Sequence, residues 1–341
     1  MWTALQTLGV PAHLIQVIKS LYSGQKACVR TEHGDSEEFE IGQGVRQGCI
    51  LSPSLFNLYA EYIMRQVLAG WTGGLSIGGW QLNNMRYADD TTLLANSLAE
   101  LRTLLQRVKT ESEAMGLRLN VAKTKFMVIG DVGEEQPLIV DGQEVEKIQQ
   151  FNFLGALISS KGGCSEEIRR RIAMAKSAMQ KLNKIWADRG VTKATKVRLV
   201  KALVFPIASH SCETWTLTKA DCRKIDAFEM WCWRRMLRIT WTMKRTNISI
   251  LEEIGTKKCL LDFINSQALS YFGHVARSDT NSLEKTVMQG LIEGSRRPGR
   301  PKSRYIDRIK KITGKPLPVV YGLVTDRKKW RAIRGITSCQ S

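Results

Sequence analysis

The sequence predicts an α+β fold that turns mainly helical in its second half, and three observations carry that reading. Between residues 75 and 155, short runs rich in β-branched, aromatic and aliphatic residues are separated by the turn pairs Gly78-Gly79, Asp89-Asp90 and Asp141-Gly142. Stretches whose apolar residues recur at helical spacing alternate with those strand pairs, the pattern of an antiparallel sheet with helices. From Ser165 onward the helical spacing continues almost without a strand signal.

Leu5, Leu8, Leu14, Ile15, Ile18 and Leu21 outline two short helices broken at Gly9-Val10-Pro11. Residues 27–31 and 38–41 flank His33-Gly34-Asp35 as a hairpin, and a glycine-punctuated loop, residues 42–48, follows. Ser52 before Pro53 reads as the cap of a helix that presents Leu55, Leu58, Tyr59, Tyr62, Ile63 and Val67 on one face. Hairpins are expected across Gly78-Gly79 and across Ala88-Asp89-Asp90. A helix through Leu98, Leu101, Leu104, Leu105 and Val108 then stops at Gly116. Strands are expected at 117–120 and 126–129, with further hairpin structure around Asp141-Gly142 and up to Phe151–Gly155. In the helical half, Ile168, Ile172, Ala175, Met179, Leu182 and Trp186 form a seam that runs to Gly190. A second helix carries Val197, Val200, Val204 and Ile207, and a third carries Ile225, Phe228, Cys232, Met236 and Ile239. Trp231, Trp233 and Trp241 stand among Arg234, Arg235 and Arg238, and core packing is the expectation for all three rings.

Charge divides at the same place as structure. Of 51 Lys and Arg and 32 Asp and Glu, residues 1–160 hold 13 and 17, leaving 38 and 15 for residues 161–341. A polyanion partner, duplex nucleic acid rather than membrane, is the expectation for the basic half, beside the plainer reading of a solvated basic face. The eight Cys form no Cys-x-x-Cys pair and the four His complete no finger spacing, so disulfides and zinc modules are not expected. His210 and Cys212 are read as packing residues at a helix end. No signal peptide or membrane span is visible, which points to an intracellular protein, cytoplasmic or nuclear.

An Asp-Asp turn by itself is weak evidence of chemistry, because solvated acidic hairpins are common. Its neighbours change its weight. Arg46-Gln47-Gly48-Cys49-x-Leu51-Ser52-Pro53, then Tyr87-Ala88-Asp89-Asp90, then Gly116-Leu117-x-Leu119-Asn120-x-x-Lys123-Thr124, then Phe151-x-Phe153-Leu154-Gly155 stand in one order. That order resembles the palm motifs of reverse transcriptases, above all those of non-LTR (LINE-type) retrotransposons. Downstream, Glu213-Thr214-Trp215, Thr246-Asn247, Phe272-Gly273-His274-Val275, Pro298-Gly299-Arg300-Pro301 and Lys329-Trp330-Arg331 are similar to the later region of the same elements.

The resemblance implies an incomplete right-hand polymerase palm over 1–163 that includes a primer-grip hairpin. A helical thumb-like domain over 164–245 and a basic nucleic-acid-binding region over 246–341 would follow. It implies RNA-directed DNA synthesis from an RNA template, a DNA primer and dNTPs, with two Mg²⁺ ions. Asp89 would ligate metal directly and Asp90 beside it, while Tyr87 and Ala88 would border the primer end. Arg46, Gln47 and Gly48 would shape the nucleotide and template pocket. Lys123 would assist the leaving pyrophosphate, with a solvated turn lysine as the alternative, and Phe153, Leu154 and Gly155 would grip the primer. The Gly-Arg-Pro centre of Arg296-Arg297-Pro298-Gly299-Arg300-Pro301-Lys302 is similar to an AT-hook, though Pro298 departs from that motif. A flexible basic linker whose Arg296, Arg297, Arg300 and Lys302 meet phosphates is the competing reading.

In the family, a strand bearing a further aspartate precedes the helix that begins near Trp2; here that strand would fall upstream of Met1. The first acidic residues, Glu32 and Asp35, sit in the predicted hairpin and cannot replace it. Losing one carboxylate from a divalent site costs on the order of a thousandfold in rate. The expectation is therefore that residues 1–341 alone lack useful polymerase activity. The alternative is a non-catalytic nucleic-acid-binding relic of such an element.

Overall fold

The computed structural model describes residues 1–130, 137–256, 260–279, 282–290 and 304–336, and the chain divides into two compact units. One unit is Met1–Lys125 with Gly133–Glu146, and the other is Phe126–Val132 with Lys147–Ser341.

In the first unit, helices Trp2–Thr7 and Ala12–Tyr22 are separated by Gly9, whose φ of 83° lets the chain reverse before Pro11 starts the second helix. Leu5 and Ile15 pack with Leu55 of the helix Ser52–Val67. That helix departs from expectation at its start. Leu51 occupies the cap position without a side-chain bond, and Ser52 is the first helical residue. The Ser52 hydroxyl is buried, 3.4 Å from the Tyr22 hydroxyl, so packing has claimed it before capping could. The helix Leu98–Ala114 begins as the pattern predicts, with Ser97 accepting from the Glu100 N–H at 3.2 Å, and Gly116 closes it at φ 77°. Leu104 joins Ile63, Met64 and Val67 in one apolar cluster between these two helices.

Every β ladder among the described residues has two strands, so the expected antiparallel sheet exists only as separate hairpin-like pairs. The strands are only two to four residues long. Leu75–Ile77 pairs with Trp80–Leu82 across Gly78 and Gly79, both at positive φ, and Ile139–Val140 pairs with Gln143–Glu144 across Asp141-Gly142. The strand expected at 117–120 is absent. The Leu117 N–H turns back to the Ser112 carbonyl, and the Asn120 carbonyl takes the Thr124 N–H at 2.9 Å, closing a turn where a ladder would have formed. The strand expected at 126–129 shrinks to Lys125–Phe126.

The second unit is mainly helical. The helix Ser165–Lys181 buries Ile168, Ala175 and Met179 as its seam predicts, but it ends nine residues before Gly190. A separate short helix, Asn183–Ala187, follows, because the Trp186 indole folds back to donate to the Met179 carbonyl at 2.9 Å. The next helical stretch, Lys193–Leu199, passes through a π-helical turn, Val200–Val204, into Phe205–Ala208. Pro206, which offers no N–H to the ladder, lies just beyond that turn. In Lys219–Met236, Trp233 is fully buried and donates to Glu229 at 3.1 Å, while a second Glu229 oxygen accepts the Leu260 N–H at 2.6 Å. Burial nonetheless keeps the Glu229 carboxyl above its ordinary pKa. Trp231 is half-buried, with Lys176 and Arg235 each 5.4 Å from its ring centre. Trp241 corrects the core expectation outright, at 86% exposure.

The downstream motifs are largely packing devices. Arg308 is buried and gives its guanidinium to the Trp215 carbonyl, to Cys212 O at 3.4 Å, to Ile264 O at 3.2 Å and to Asn265 Oδ1 at 3.3 Å. It thereby joins the end of the Glu213-Thr214-Trp215 motif to the helices Leu260–Ala276 and Tyr305–Thr313. Thr246 caps Asn247–Ile254 through the Ser249 N–H. Trp330 lies over Gly273, donates to the Leu269 carbonyl at 2.9 Å, and shares a core cluster with Phe272, Ile309 and Val320. No helix among the described residues is long and apolar enough to cross a membrane.

A Cβ on Gly273 would stand 2.2 Å from Trp330 Nε1. Gly273→Ala is therefore expected to destabilise the protein by about 2 kcal/mol through overpacking, despite alanine's better helix propensity. Urea unfolding of the two proteins measures it.

Candidate active site

The Asp pair stands at the tip of a hairpin whose strands are Asn84–Tyr87 and Asp90–Leu93, with Tyr87 opposite Asp90. The turn is thus Ala88-Asp89, one residue shorter than the sequence suggests, and Asp90 begins the return strand. Ala88 holds φ 52°, a left-handed conformation that costs a residue with a Cβ about 1 kcal/mol. Asp89 and Asp90 are both exposed, and neither carboxylate meets a hydrogen-bond or ion-pair partner among the described residues. Tyr87 is exposed beside them.

Arg86, in the same hairpin, holds it to the helix Ser52–Val67. Its guanidinium donates to Glu61 Oε2 at 2.6 Å and to the Ala60 carbonyl at 3.3 Å. Arg65 binds the other Glu61 oxygen at 2.8 Å, and the two guanidinium groups, Arg86 first, hold the Glu61 carboxyl below its ordinary pKa. Sequence reading passed over both residues, since an Arg and a Glu far apart in the chain carry no local signal.

Two free carboxylates suit a hard cation such as Mg²⁺. They do not complete a site: no group of three His, Cys, Asp or Glu that could hold a metal exists among the described residues. The fit is partial.

Arg46, Gln47 and Gly48 lie in the loop that leads into the Ser52–Val67 helix, all exposed. Gly48 has φ 84° and open space where a Cβ would sit, so the backbone turn is what requires glycine there. A cleft of about 800 Å³ lies beside the loop's earlier part, Gly42–Val45, and is lined also by Trp2, Tyr22, Phe56 and Tyr59. Asp89 and Asp90 are not among its lining residues. Lys123 is exposed in the turn that Asn120 closes, and its ammonium meets no partner among the described residues.

Phe153, Leu154 and Gly155 belong to the second unit. Gln150–Phe153 pairs with Ala156–Ser159, and Leu154 and Gly155 form the turn at φ 48° and 81°. The Gly155 carbonyl accepts from both Arg170 and Arg171, and each of those arginines is bound to Glu167, at 2.8 and 2.7 Å. A Glu167 oxygen also accepts the Leu157 N–H at 3.1 Å. Burial pushes the Glu167 carboxyl up, but the two guanidinium groups and the Leu157 N–H outweigh it and leave the pKa below its ordinary value. The only advance signal was the spacing: arginines three and four residues after a glutamate share a helix face. Arg170 lies off the apolar seam of its helix and points into this network.

His210 and Cys212 separate. The His210 ring is exposed, with Nδ1 2.8 Å from Arg171 and 2.9 Å from Ser211 Oγ, which corrects its reading as a packing residue. Cys212 is buried, and burial pushes its thiol up to about 12. Arg296, Arg297, Arg300 and Lys302 lie outside the described residues.

Residues 1–158 match the model of the reverse transcriptase (RNA-dependent DNA polymerase) family. Over 274 residues the chain is 26% identical to a transposon-derived protein of Caenorhabditis elegans, covering 76% of this chain and 97% of that protein. It is 25% identical over 237 residues to the Pol polyprotein of the type-2 retrotransposable element R2DM of Drosophila melanogaster. It is also 23% identical over 310 residues to the RNA-directed DNA polymerase of the mobile element jockey of Drosophila funebris. The reverse transcriptase match thus lies in residues 1–158, and the relatives that the chain resembles are proteins of non-LTR retrotransposons. The last two matches cover 64% and 87% of this chain but only 21% of the R2DM protein and 32% of the jockey polymerase.

Glu167→Ala is expected to cost about 3 kcal/mol, because it leaves two arginines beside the Gly155 carbonyl without their counter-charge. Since the folded-state pKa of Glu167 is depressed, its contribution is complete above the ordinary glutamate value and fades as pH falls through the folded value. Denaturant unfolding at neutral pH and in acid should therefore show the gap between wild type and variant closing as pH drops.

Proposed function

We propose that the chain is the palm and thumb portion of an RNA-directed DNA polymerase in which Asp89 and Asp90 supply two of the carboxylates of the nucleotidyl-transfer site. The observation that carries this reading is the hairpin tip itself. It presents two adjacent, unpartnered carboxylates, Asp89 on the two-residue turn and Asp90 opening the return strand, within the residues that match the reverse transcriptase family. Mg²⁺, when bound, would lower the charge on the triphosphate and on the attacking 3′-hydroxyl oxygen. The chain's own residues do the positioning. Arg86 and Glu61 hold the tip against the Ser52–Val67 helix, and Tyr87 offers a flat exposed face beside the carboxylates. Arg46, Gln47 and Gly48 border the nucleotide and template, and Lys123 carries an unpaired ammonium suited to the departing pyrophosphate. The Phe153-Leu154-Gly155 turn, clamped by Arg170 and Arg171, holds the primer, and the basic second half takes the duplex.

With no third carboxylate beside Asp89 and Asp90 among the described residues, the remaining ligand has to come from elsewhere. The same observation favours the second reading, a nucleic-acid-binding relic without catalysis.

Primer extension on an RNA template with dNTPs and Mg²⁺ separates the two. Residues 1–341 alone should give no detectable product. A longer protein that restores an upstream Asp-bearing strand should extend the primer and lose at least about a thousandfold in rate on Asp89→Ala. Robust synthesis by residues 1–341 would overturn the incomplete-site reading. Inactivity of the longer protein would favour the relic.

A further inference from the structure

We propose that the segment Arg238–Lys244 is a binding site for single-stranded nucleic acid, with Trp241 as a stacking platform for an unpaired base and Arg238 and Lys244 as its phosphate contacts.

The case begins with exposure. Trp241 is 86% exposed, and Met243 and Ile248 beside it in sequence are 57% and 69% exposed. Leaving an indole in water forgoes the burial that the chain's neighbouring Trp233 obtains in full. Nothing in the fold requires it to stand out. The local backbone is well held: the helix Lys219–Met236 ends with the Ile239 N–H on the Arg234 carbonyl at 2.8 Å and the Arg238 N–H on the Arg235 carbonyl at 3.1 Å. A single 3₁₀ turn, Trp241–Met243, then lifts the indole outward.

Conformation adds a second observation. This helix ending places its next residue in the left-handed region, where glycine is the usual occupant. Here Arg238 occupies it at φ 58°, and Lys244, at the far end of the 3₁₀ turn, holds φ 48°. Two basic residues therefore occupy positions where glycine would be less strained, three residues before and three after Trp241 in the chain.

Charge supplies the third. Arg234 is engaged by the Arg245 carbonyl and Asn247, Arg235 by Asn183, and Arg245 by Glu253. Arg238 and Lys244 are exposed and have no side-chain partner among the described residues. An aromatic face between two free cations, in the half of the chain that holds 38 of its 51 Lys and Arg, is complementary to a strand that offers bases and phosphates together. A duplex hides its base faces and would use only the cations.

The inference depends on the proposed polymerase reading only in taking nucleic acid as the partner, and its test does not depend on catalysis. Fluorescence anisotropy would compare the 1–341 chain binding a labelled oligothymidylate, an oligouridylate and a DNA duplex of equal length. Trp241→Ala should weaken both single strands by about tenfold and the duplex by less than about twofold, while Trp241→Phe keeps most of the single-strand affinity. The double variant Arg238→Gln/Lys244→Gln should lower the slope of log affinity against log salt by about one. Binding is read without Mg²⁺ or dNTPs, which keeps this test separate from the fate of the active site. Thermal melting of each variant should match wild type, because the substituted side chains are exposed. Unchanged single-strand binding in Trp241→Ala would overturn the proposal. So would equal loss on duplex and single strands, or no binding of any strand by the wild type at low salt.

Discussion

One buried carboxylate sets the geometry of the hairpin turn in the second unit. Glu167 accepts from Arg170, from Arg171 and from the Leu157 N–H, and the two arginines in turn hold the Gly155 carbonyl. A buried guanidinium without a counter-charge is costly, and a two-stranded ladder of four-residue strands is marginal by itself. Each problem solves the other: the hairpin supplies acceptors for the arginines, and the helix Ser165–Lys181 supplies a rigid base for the hairpin. Arg308 repeats the principle farther along, a buried cation satisfied mostly by carbonyl oxygens and so able to join three segments at once.

The first unit relies on a weaker version of the same device. Its hairpin is attached by the more exposed Arg86–Glu61 pair, and its turn holds Ala88 in the left-handed region. Surface ion pairs contribute little to stability, so this tip is held in place more loosely than the Gly155 turn. The two carboxylates at this tip stay exposed and unpaired among the described residues.

Most local elements were legible before the structure. Turn chemistry located the hairpins at Gly78-Gly79 and Asp141-Gly142, Gly116 marked the end of a helix, and apolar spacing found the seam of Ser165–Lys181. The misreadings have physical causes. Ser52 looked like a cap because capping is local, whereas its packing partner Tyr22 is thirty residues away. Residues 117–120 looked like a strand until the Asn120 carbonyl captured the Thr124 N–H. Three tryptophans on one basic stretch looked alike, and only tertiary packing could bury Trp233 and leave Trp241 in water.

The sequence by itself determined the ordered motifs, the unequal distribution of charge and the α+β pattern, because each depends on residue types at short spacing. The tertiary structure decided which charged groups are spent and which remain free. Glu167, Glu61 and Arg308 are consumed in holding elements together, while Asp89, Asp90, Lys123, Arg238 and Lys244 are left without partners among the described residues. Hydrogen bonds and burial between residues far apart in the chain make that division, and no local pattern in the sequence encodes it.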